Sequence, residues 1–275
     1  MWRAGFRHFH SMLTGRNITF SIGAKQLIAD ISVSFAPGQL HLIIGPNGAG
    51  KSTLIKVLAR LLRPQQGVVE YAGVDVKNVG EAALAKRRAV LSQAVEVAFP
   101  LTVREVVMMG RYPHSAARPA PADEETVDEV MDYFDVTEFS QRGYQTLSGG
   151  ERQRVNFARV LAQLWRNGEP REGRSDELYL FLDEPLTFLD IRHQIDFMKK
   201  VQSFTKRPEV VTVGVVHDLN LAARFADQIV LMDHGRIVRA GQPGAVLTDD
   251  SIRSVFAVEP KFVPLGDNRI HLIFS

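Results

Sequence analysis

The first part of the chain alternates apolar and polar residues with a period of two. Apolar residues occupy every second position in residues 18–22 and again in residues 31–35, just ahead of the turn signal Pro37-Gly38. This alternation puts the apolar side chains on one face of an extended strand. The pattern predicts antiparallel strands at the start of the chain.

The pattern changes after that turn. Residues 39–44 are predicted to form a strand, and a glycine-rich loop follows it. From Ser52 onward apolar residues recur at helical spacing until Arg63-Pro64, where proline is expected to end the helix. The order predicted here is strand, loop, helix.

Two later segments carry the start signal of a capped helix. Thr102 is followed by Glu105, and Ser148 by Glu151, each pair ahead of an apolar run with helical spacing. A third helix is predicted over about residues 123–134. The chain is therefore predicted to be an α/β core with a helical insertion. Short strands are predicted after it, at residues 178–183, 210–216, 228–232 and 236–240.

The remaining segments are connections and ends. Residues 166–177 are polar and glycine-rich, which indicates a surface loop. The C-terminal stretch predicts a β-hairpin around Gly266-Asp267-Asn268. The first eleven residues carry positive charge but are followed by no apolar segment, so they do not have the pattern of a secretory signal. Residues 1–12 are expected to be flexible, or Met12 to be the true start.

Composition narrows the class of protein. The chain has 275 residues, 45% apolar and 23% charged, enough for one domain or a core with an inserted subdomain. A formal net charge of +2 is too small for binding through a basic face, so no nucleic-acid partner is expected. Cysteine is absent, which excludes disulfides and thiolate metal sites. No apolar run reaches the ~18 residues of a membrane helix, so membrane attachment is expected only through a partner.

The glycine-rich loop carries the strongest chemical signal. It matches the pattern GxxxxGK[ST] between a predicted strand and a predicted helix, the context in which this motif binds phosphates. Its residues are Gly45, Pro46, Asn47, Gly48, Ala49, Gly50, Lys51 and Ser52. Backbone N–H groups and the helix N-terminus are expected to hold the phosphates of ATP, with Thr53 just behind them. Lys51 is expected to reach the β and γ phosphates and the Ser52 hydroxyl to ligate Mg²⁺.

A pair of carboxylates follows the predicted strand at residues 178–182. Asp183 and Glu184 therefore lie at the carboxyl end of a buried strand, where open α/β sheets bind their ligands. We expect Asp183 to hold Mg²⁺ and Glu184 to act as general base on the attacking water. Such a pair alone is more often a solvated turn, and the phosphate loop upstream is what favours catalysis.

The segment Leu147-Ser148-Gly149-Gly150-Glu151 resembles the signature motif of ATP-binding cassette (ABC) proteins, and it stands between the two motifs above, as in that family. The resemblance implies a P-loop ATPase core with an antiparallel β subdomain and an inserted α-helical subdomain. It also implies that Ser148, Gly149 and Gly150 contact the γ phosphate of ATP held by another subunit. Because the chain has only one set of these motifs, the resemblance implies a homodimer with two composite ATP sites.

The same resemblance assigns three single residues. Gln93 is similar to the Q-loop glutamine, which contacts Mg²⁺ and water, and His217 is similar to the switch histidine that hydrogen-bonds the γ phosphate. Asp190 matches the D-loop aspartate at the dimer interface, although Thr187 and Phe188 depart from the usual residues there. Without the family pattern, each would be read as an ordinary polar residue.

The adenine contact departs from the family pattern. Members of the family commonly place an aromatic residue upstream of the phosphate loop, and the corresponding position here is Ile22. Phe20 is two residues away on the same strand face. The sequence leaves two alternatives, a base stacked on Phe20 or a base held less tightly against Ile22.

The resemblance covers residues 13–240, with the helical subdomain at about 97–165 and a short extension at 241–275. Residues 101–114 and 144–151 look like those of ATPases serving iron-siderophore, cobalamin and hemin importers, and hemin importers match best. This implies two membrane permease subunits, a periplasmic binding protein, and a peripheral position on the cytoplasmic face of the inner membrane. A ferric siderophore or cobalamin importer is the alternative.

Two other classes share part of this pattern. A non-transport cassette ATPase of DNA repair or translation would share every nucleotide residue, but it predicts two cassettes or a long coiled-coil insertion, neither of which the sequence has. A phosphate-loop kinase does not explain residues 147–151.

Overall fold

The computed structural model describes residues 12–92, 99–115, 118–165, 177–187, 189–265 and 269–274. The strands in chain order are β1 (Leu13–Ile22), β2 (Lys25–Phe35), β3 (Leu40–Ile44), β4 (Gln66–Tyr71), β5 (Val74–Asp75), β6 (Arg88–Leu91), β7 (Leu178–Asp183), β8 (Val210–Val215), β9 (Gln228–Asp233), β10 (Arg236–Gly241), β11 (Pro260–Leu265) and β12 (Arg269–Phe274). The α-helices are α1 (Lys51–Leu58), α2 (Glu81–Ala85), α3 (Val103–Met108), α4 (Pro121–Tyr133), α5 (Gly149–Leu164), α6 (Ile191–Thr205), α7 (Leu219–Phe225), α8 (Pro243–Val246) and α9 (Asp249–Phe256).

An antiparallel sheet opens the fold, in the order β2-β1-β4-β5. Strands β1 and β2 pair from Leu13↔Phe35 to Ile22↔Lys25, which confirms the antiparallel strands expected from the alternating pattern. Their inward face packs into an apolar cluster with the phosphate-loop helix α1, and this cluster includes Ile18, Phe20 and Leu54.

The second sheet is the core of the molecule, in the order β10-β9-β3-β8-β7-β6. All neighbouring pairs run parallel except β9 and β10, which run antiparallel at the edge. Strands β3, β7 and β8 are buried at every position, which explains why they are nearly continuous apolar runs. One face of this sheet joins the cluster around α1, and the other joins the cluster formed with the later helices.

Helices α3, α4 and α5 pack together as the predicted insertion. The capping boxes at Thr102 and Ser148 are both present, so the two helix starts are confirmed. A buried ion pair ties the helices together, with Arg111 Nε donating to Asp123 Oδ1 at 2.8 Å. The Arg111 guanidinium also donates to the carbonyl of Ala162 on α5, at 2.7 Å.

Helix α1 is shorter than the sequence predicts. It ends at Leu58 instead of running to Arg63, because Arg60 takes a left-handed conformation with φ 55°. The N–H groups of Leu61 and Leu62 then both donate to the carbonyl of Lys56, at 2.7 and 3.0 Å. This closes the helix in the manner of a left-handed C-terminal cap, although the apolar pattern continues beyond it.

The chain ends in a two-stranded sheet of β11 and β12, paired from Pro260↔Phe274 to Leu265↔Arg269. This confirms the hairpin strands, while the turn residues 266–268 lie outside the described residues, as do residues 1–11 and the polar stretch 166–176. In the part of the chain that the structure describes, no helix is both long and apolar enough to cross a membrane.

Candidate nucleotide-binding site

The phosphate loop connects the buried end of β3 to α1. Gly45, Gly48 and Gly50 have φ of 149°, 82° and 95°, which side-chain-bearing residues rarely adopt. A Cβ on Gly45 would lie 2.1 Å from the carbonyl oxygen of Met232, and one on Gly50 would lie 2.5 Å from that of Leu27. All three glycines are therefore required for backbone conformation, and Gly45 and Gly50 are also required for close approach to neighbouring main chain.

Lys51 begins α1 and is only 5% exposed. Its ammonium donates to the carbonyls of Gly45 at 2.8 Å and Pro46 at 2.9 Å, within its own loop. Burial lowers the pKa of Lys51 below its ordinary value, and the carboxylates of Glu184 and Asp183 offset only part of this shift. The predicted phosphate-loop lysine and the predicted carboxylate pair thus come together electrostatically.

Asp183 closes β7 and is 7% exposed. Its Oδ1 is buried and has no hydrogen-bond partner among the described residues. Leaving such an oxygen unsatisfied is costly, and a carboxylate oxygen is the kind of ligand that Mg²⁺ takes. Asp183 therefore fits a magnesium site next to the phosphate loop.

Glu184 and His217 form a direct contact. The Nε2 of His217 lies 2.8 Å from Oε1 of Glu184, and the two side chains are 48% and 20% exposed. They lie at the carboxyl ends of the neighbouring parallel strands β7 and β8, and both line a cleft of about 220 Å³. Glu184 has a left-handed backbone with φ 52°, which is unusual for a residue other than glycine.

Three side-chain contacts hold the segment after Glu184. The Thr187 hydroxyl donates to the Glu184 carbonyl at 3.1 Å, and Gln194 Nε2 donates to the Leu189 carbonyl at 3.0 Å. A buried amide, Gln153 Nε2 on α5, donates to the Pro185 carbonyl at 2.8 Å. Sequence reasoning missed Gln153, because only a fold places α5 against a loop some thirty residues away in sequence.

The signature segment lies at the start of α5 and faces solvent. Ser148 Oγ accepts from the N–H of Glu151 at 3.3 Å, and the N–H of Ser148 donates to Glu151 Oε2 at 2.7 Å. Ser148 and Gly149 are exposed and Gly150 is half-buried. Over the described ranges, no hydrogen bond joins these three residues to the phosphate loop of the same chain.

Asp190 caps α6 and is also exposed. Its Oδ1 accepts from the backbone N–H of His193 at 2.9 Å and contacts His193 Nδ1 at 2.8 Å. The backbone hydrogen bond from His193 is the main reason that the pKa of Asp190 is lowered. The predicted Gln93 lies outside the described residues, and so does Phe188.

The structure separates the two candidates for the adenine contact. Phe20 is 7% exposed and packs in the apolar cluster with α1, so its ring is occupied by the protein core. Ile22 is 64% exposed at the end of β1. The alternating pattern correctly places Phe20 and Ile22 on the same face of the strand, but it does not show that this face is buried at Phe20 and exposed at Ile22. Of the two side chains, only Ile22 is accessible to a ligand.

A protein-family profile described as ABC transporter matches residues 28–166. A hemin import ATP-binding protein, HmuV of Bordetella parapertussis, is 41% identical over 247 residues, which cover 90% of this chain and 92% of that protein. The chain belongs to the ABC transporter family. The HmuV protein of Agrobacterium fabrum has the same identity and the same coverage.

Solved structures of ABC proteins share the fold. A chain from a metal-chelate type ABC transporter in an inward-facing conformation superposes with a TM-score of 0.78 at 22% identity, covering 97% of this chain and 98% of that chain. An ATP-binding cassette solved in its ADP conformation superposes with a TM-score of 0.74 at 22% identity, covering 90% and 98%. The α/β fold with its antiparallel and helical parts is therefore that of ABC ATPases, which bind ATP.

Proposed function

We propose that this chain is the ATP-hydrolysing subunit of an ABC importer that takes up hemin. The 41% identity to two hemin import ATP-binding proteins, over nine tenths of the chain, supports the substrate. The importer alternatives, a ferric siderophore or cobalamin, use the same cassette, since substrate would be bound by other subunits.

The main support for ATP hydrolysis is the direct contact between His217 and Glu184. Lys51 interacts electrostatically with Glu184 and Asp183, and Asp183 has an oxygen that lacks a hydrogen-bond partner among the described residues. Lys51 and the loop from Gly45 to Ser52, with Thr53, bind the phosphates of ATP, and the backbone N–H groups of the loop residues other than Pro46 are the donors. Glu184 accepts the proton of the attacking water, and His217 holds the γ phosphate by a hydrogen bond.

Ser52, Gln93 and Asp183 are the residues that hold Mg²⁺, which neutralises phosphate charge when bound. Ile22 supplies an apolar edge for the adenine. Its 64% exposure beside a buried Phe20 supports that assignment.

The working form in this proposal is a homodimer. Ser148, Gly149 and Gly150 complete the ATP site of the opposite subunit, and Asp190 lies at the interface. The exposure of Ser148, Gly149 and Asp190, and the absence of hydrogen bonds from the signature segment to its own phosphate loop within the described ranges, support contacts in trans.

The dimer docks on two permease subunits served by a periplasmic binding protein, at the cytoplasmic face of the inner membrane. Residues 13–240 form the ATPase domain in this proposal, and residues 241–275 are an extension.

Reconstitution with the permease in vesicles tests the substrate. Hemin, a ferric siderophore and cobalamin are offered in parallel, each with its binding protein, and uptake and ATP hydrolysis are measured with native and Glu184→Gln subunits. Hemin alone is expected to be taken up in an ATP-dependent way by the native subunit. Uptake of cobalamin or siderophore instead would reject hemin and leave the importer ATPase in place. Hydrolysis that no permease stimulates, with binding to DNA or ribosomes, would favour a non-transport cassette protein.

A further inference from the structure

The C-terminal hairpin packs on helix α7. The side chain of Leu272 on β12 is 2% exposed, and it belongs to the same apolar cluster as Leu219 and Ala222 of α7. The hairpin is therefore joined to the core through the helix that directly follows His217.

One side chain makes this contact specific. Asn220 Nδ2 donates to the carbonyl of Leu272 at 3.1 Å, and the N–H of Leu272 donates to Asn220 Oδ1 at 2.7 Å. The amide thus satisfies both main-chain groups of one strand residue, as a neighbouring strand would. We call this pair of hydrogen bonds the Asn220–Leu272 clasp.

The clasp lies at the start of α7, next to the switch histidine. Asp218 caps the helix, its Oδ1 accepting from the N–H of Asn220 at 2.7 Å and of Leu221 at 3.0 Å. His217 directly precedes Asp218, and its ring contacts Glu184 at 2.8 Å. Asn220 is therefore fixed by its backbone to the residue after His217 and by its side chain to the hairpin.

We propose that Asn220 is a positioning residue for His217, and that the hairpin acts through it to hold the histidine in reach of Glu184 and the γ phosphate. The inference rests on the role proposed above for His217. A displacement of about 1 Å at a catalytic group can cost a large part of the rate, so release of the clasp lowers turnover without touching the phosphate loop.

The test compares Asn220→Leu with a matched control on the same helix. Gln202 Nε2 donates to the Phe225 carbonyl at 3.2 Å, at the far end of α7, so Gln202→Leu removes a hydrogen bond from this helix but leaves the clasp intact. For Asn220→Leu in the full-length chain, kcat for ATP is expected to fall about tenfold with KM changed less than about twofold. Gln202→Leu is expected to keep near-native kcat.

A double-mutant cycle with His217→Ala separates positioning from loss of structure. If Asn220 acts through His217, Asn220→Leu lowers kcat little further once the imidazole is gone. An equal loss in both backgrounds, or an equal loss in Gln202→Leu, would overturn the inference while leaving the role of His217 intact. Near-native kcat in His217→Ala would instead reject the role proposed for His217.

A milder variant keeps the test decisive if Asn220→Leu does not fold. Asn220→Asp retains the acceptor for the Leu272 N–H and loses the donor to its carbonyl. It is expected to bind ATP normally with kcat between those of the native chain and His217→Ala. Native kcat in a folded Asn220→Asp, with thermal unfolding unchanged, would contradict the inference.

Discussion

At the scale of single residues, the site is a small set of charges whose neighbours determine what each can do. Glu184 is only 20% exposed and touches His217, while Lys51 is turned into its own loop by two carbonyls. The carboxylate that is assigned the base and the ammonium that is assigned the phosphates thus each have a contact partner of their own, and the two charges also attract each other.

Glu184→Gln is the direct test of the assigned base. The amide keeps the size of the side chain but cannot take a proton from water, so ATP binding should persist while turnover falls by about 10²–10⁴. ATPase assays and equilibrium nucleotide binding on the same preparation measure both. A variant that hydrolyses at more than roughly a tenth of the native rate would exclude general-base catalysis by this residue.

Ile22→Tyr tests the adenine contact. An aromatic stack is worth ~1 kcal/mol beyond burial, and ~1.4 kcal/mol is a factor of ten, so ATP affinity should rise about fivefold. Because Phe20 is buried in the core, Phe20→Ala should instead reduce stability, by ~3–5 kcal/mol. Nucleotide titration and urea unfolding of both variants distinguish these effects. A loss of ATP affinity in a stably folded Phe20→Leu would show that the buried ring serves the base after all.

At the scale of elements, what could be predicted was local. Strand β7 was predicted at its observed bounds because a buried parallel strand is a continuous apolar run, and the capping boxes at Thr102 and Ser148 are signals only three residues long. The end of α1 was misplaced because Arg60 has no sequence sign of its left-handed conformation. The hydrogen bonds of Gln153 with Pro185 and of Asn220 with Leu272 join segments that are far apart in sequence, and no local sequence pattern predicts such contacts.

The buried pair of Arg111 and Asp123 joins two parts of the helical insertion and makes its stability depend on pH. Burial raises the pKa of Asp123, but hydrogen bonds from the Ala120 N–H, Arg111 and Ser115 outweigh it, and the net pKa is lowered. A carboxyl with a lowered folded pKa stabilises the protein above its unfolded pKa of about 3.9, and this stability is lost as pH falls through the folded value.

Asp123→Asn should therefore cost ~3–5 kcal/mol at pH 7, because it leaves Arg111 buried without its partner charge. The difference from the native chain should shrink as pH is lowered below about 4, where the unfolded carboxyl binds a proton, and should disappear only once pH has fallen through the lower pKa of the folded carboxyl. Urea unfolding across pH measures both. The control is Asp128→Asn, an exposed partner of Arg104 that should cost less than ~1 kcal/mol. An equal loss in both variants would contradict the importance given to burial.

At the scale of the whole molecule, the decisive question is whether an ATP site is shared between two chains. A Ser148→Arg chain should bind ATP but not hydrolyse it, because the bulky, charged arginine side chain lies at the dimer interface. A Lys51→Ala chain should fail at its own phosphate loop. In a heterodimer of the two, one composite site carries both lesions and the other carries neither.

Mixing the two inactive chains should therefore restore hydrolysis, to about a quarter of the native activity if the two sites act independently. Half of the dimers in an equal mixture are heterodimers, and each has one intact site of two. The restored activity is measured as steady-state ATPase activity over a series of mixing ratios, and each mutant chain alone is the control. Activity that stays at zero at every ratio would reject the shared site.

The left-handed backbone at Glu184 implies a trade-off between stability and function. Such a conformation costs a residue other than glycine roughly 1–2 kcal/mol, and asparagine tolerates it better than glutamine does. Glu184→Asn should thus unfold at a higher temperature than the equally uncharged Glu184→Gln, although both should lose most of their ATP hydrolysis. The residue that selection for stability alone would replace is the one that the reaction needs, and efforts to make this protein more heat-resistant should leave that position unchanged.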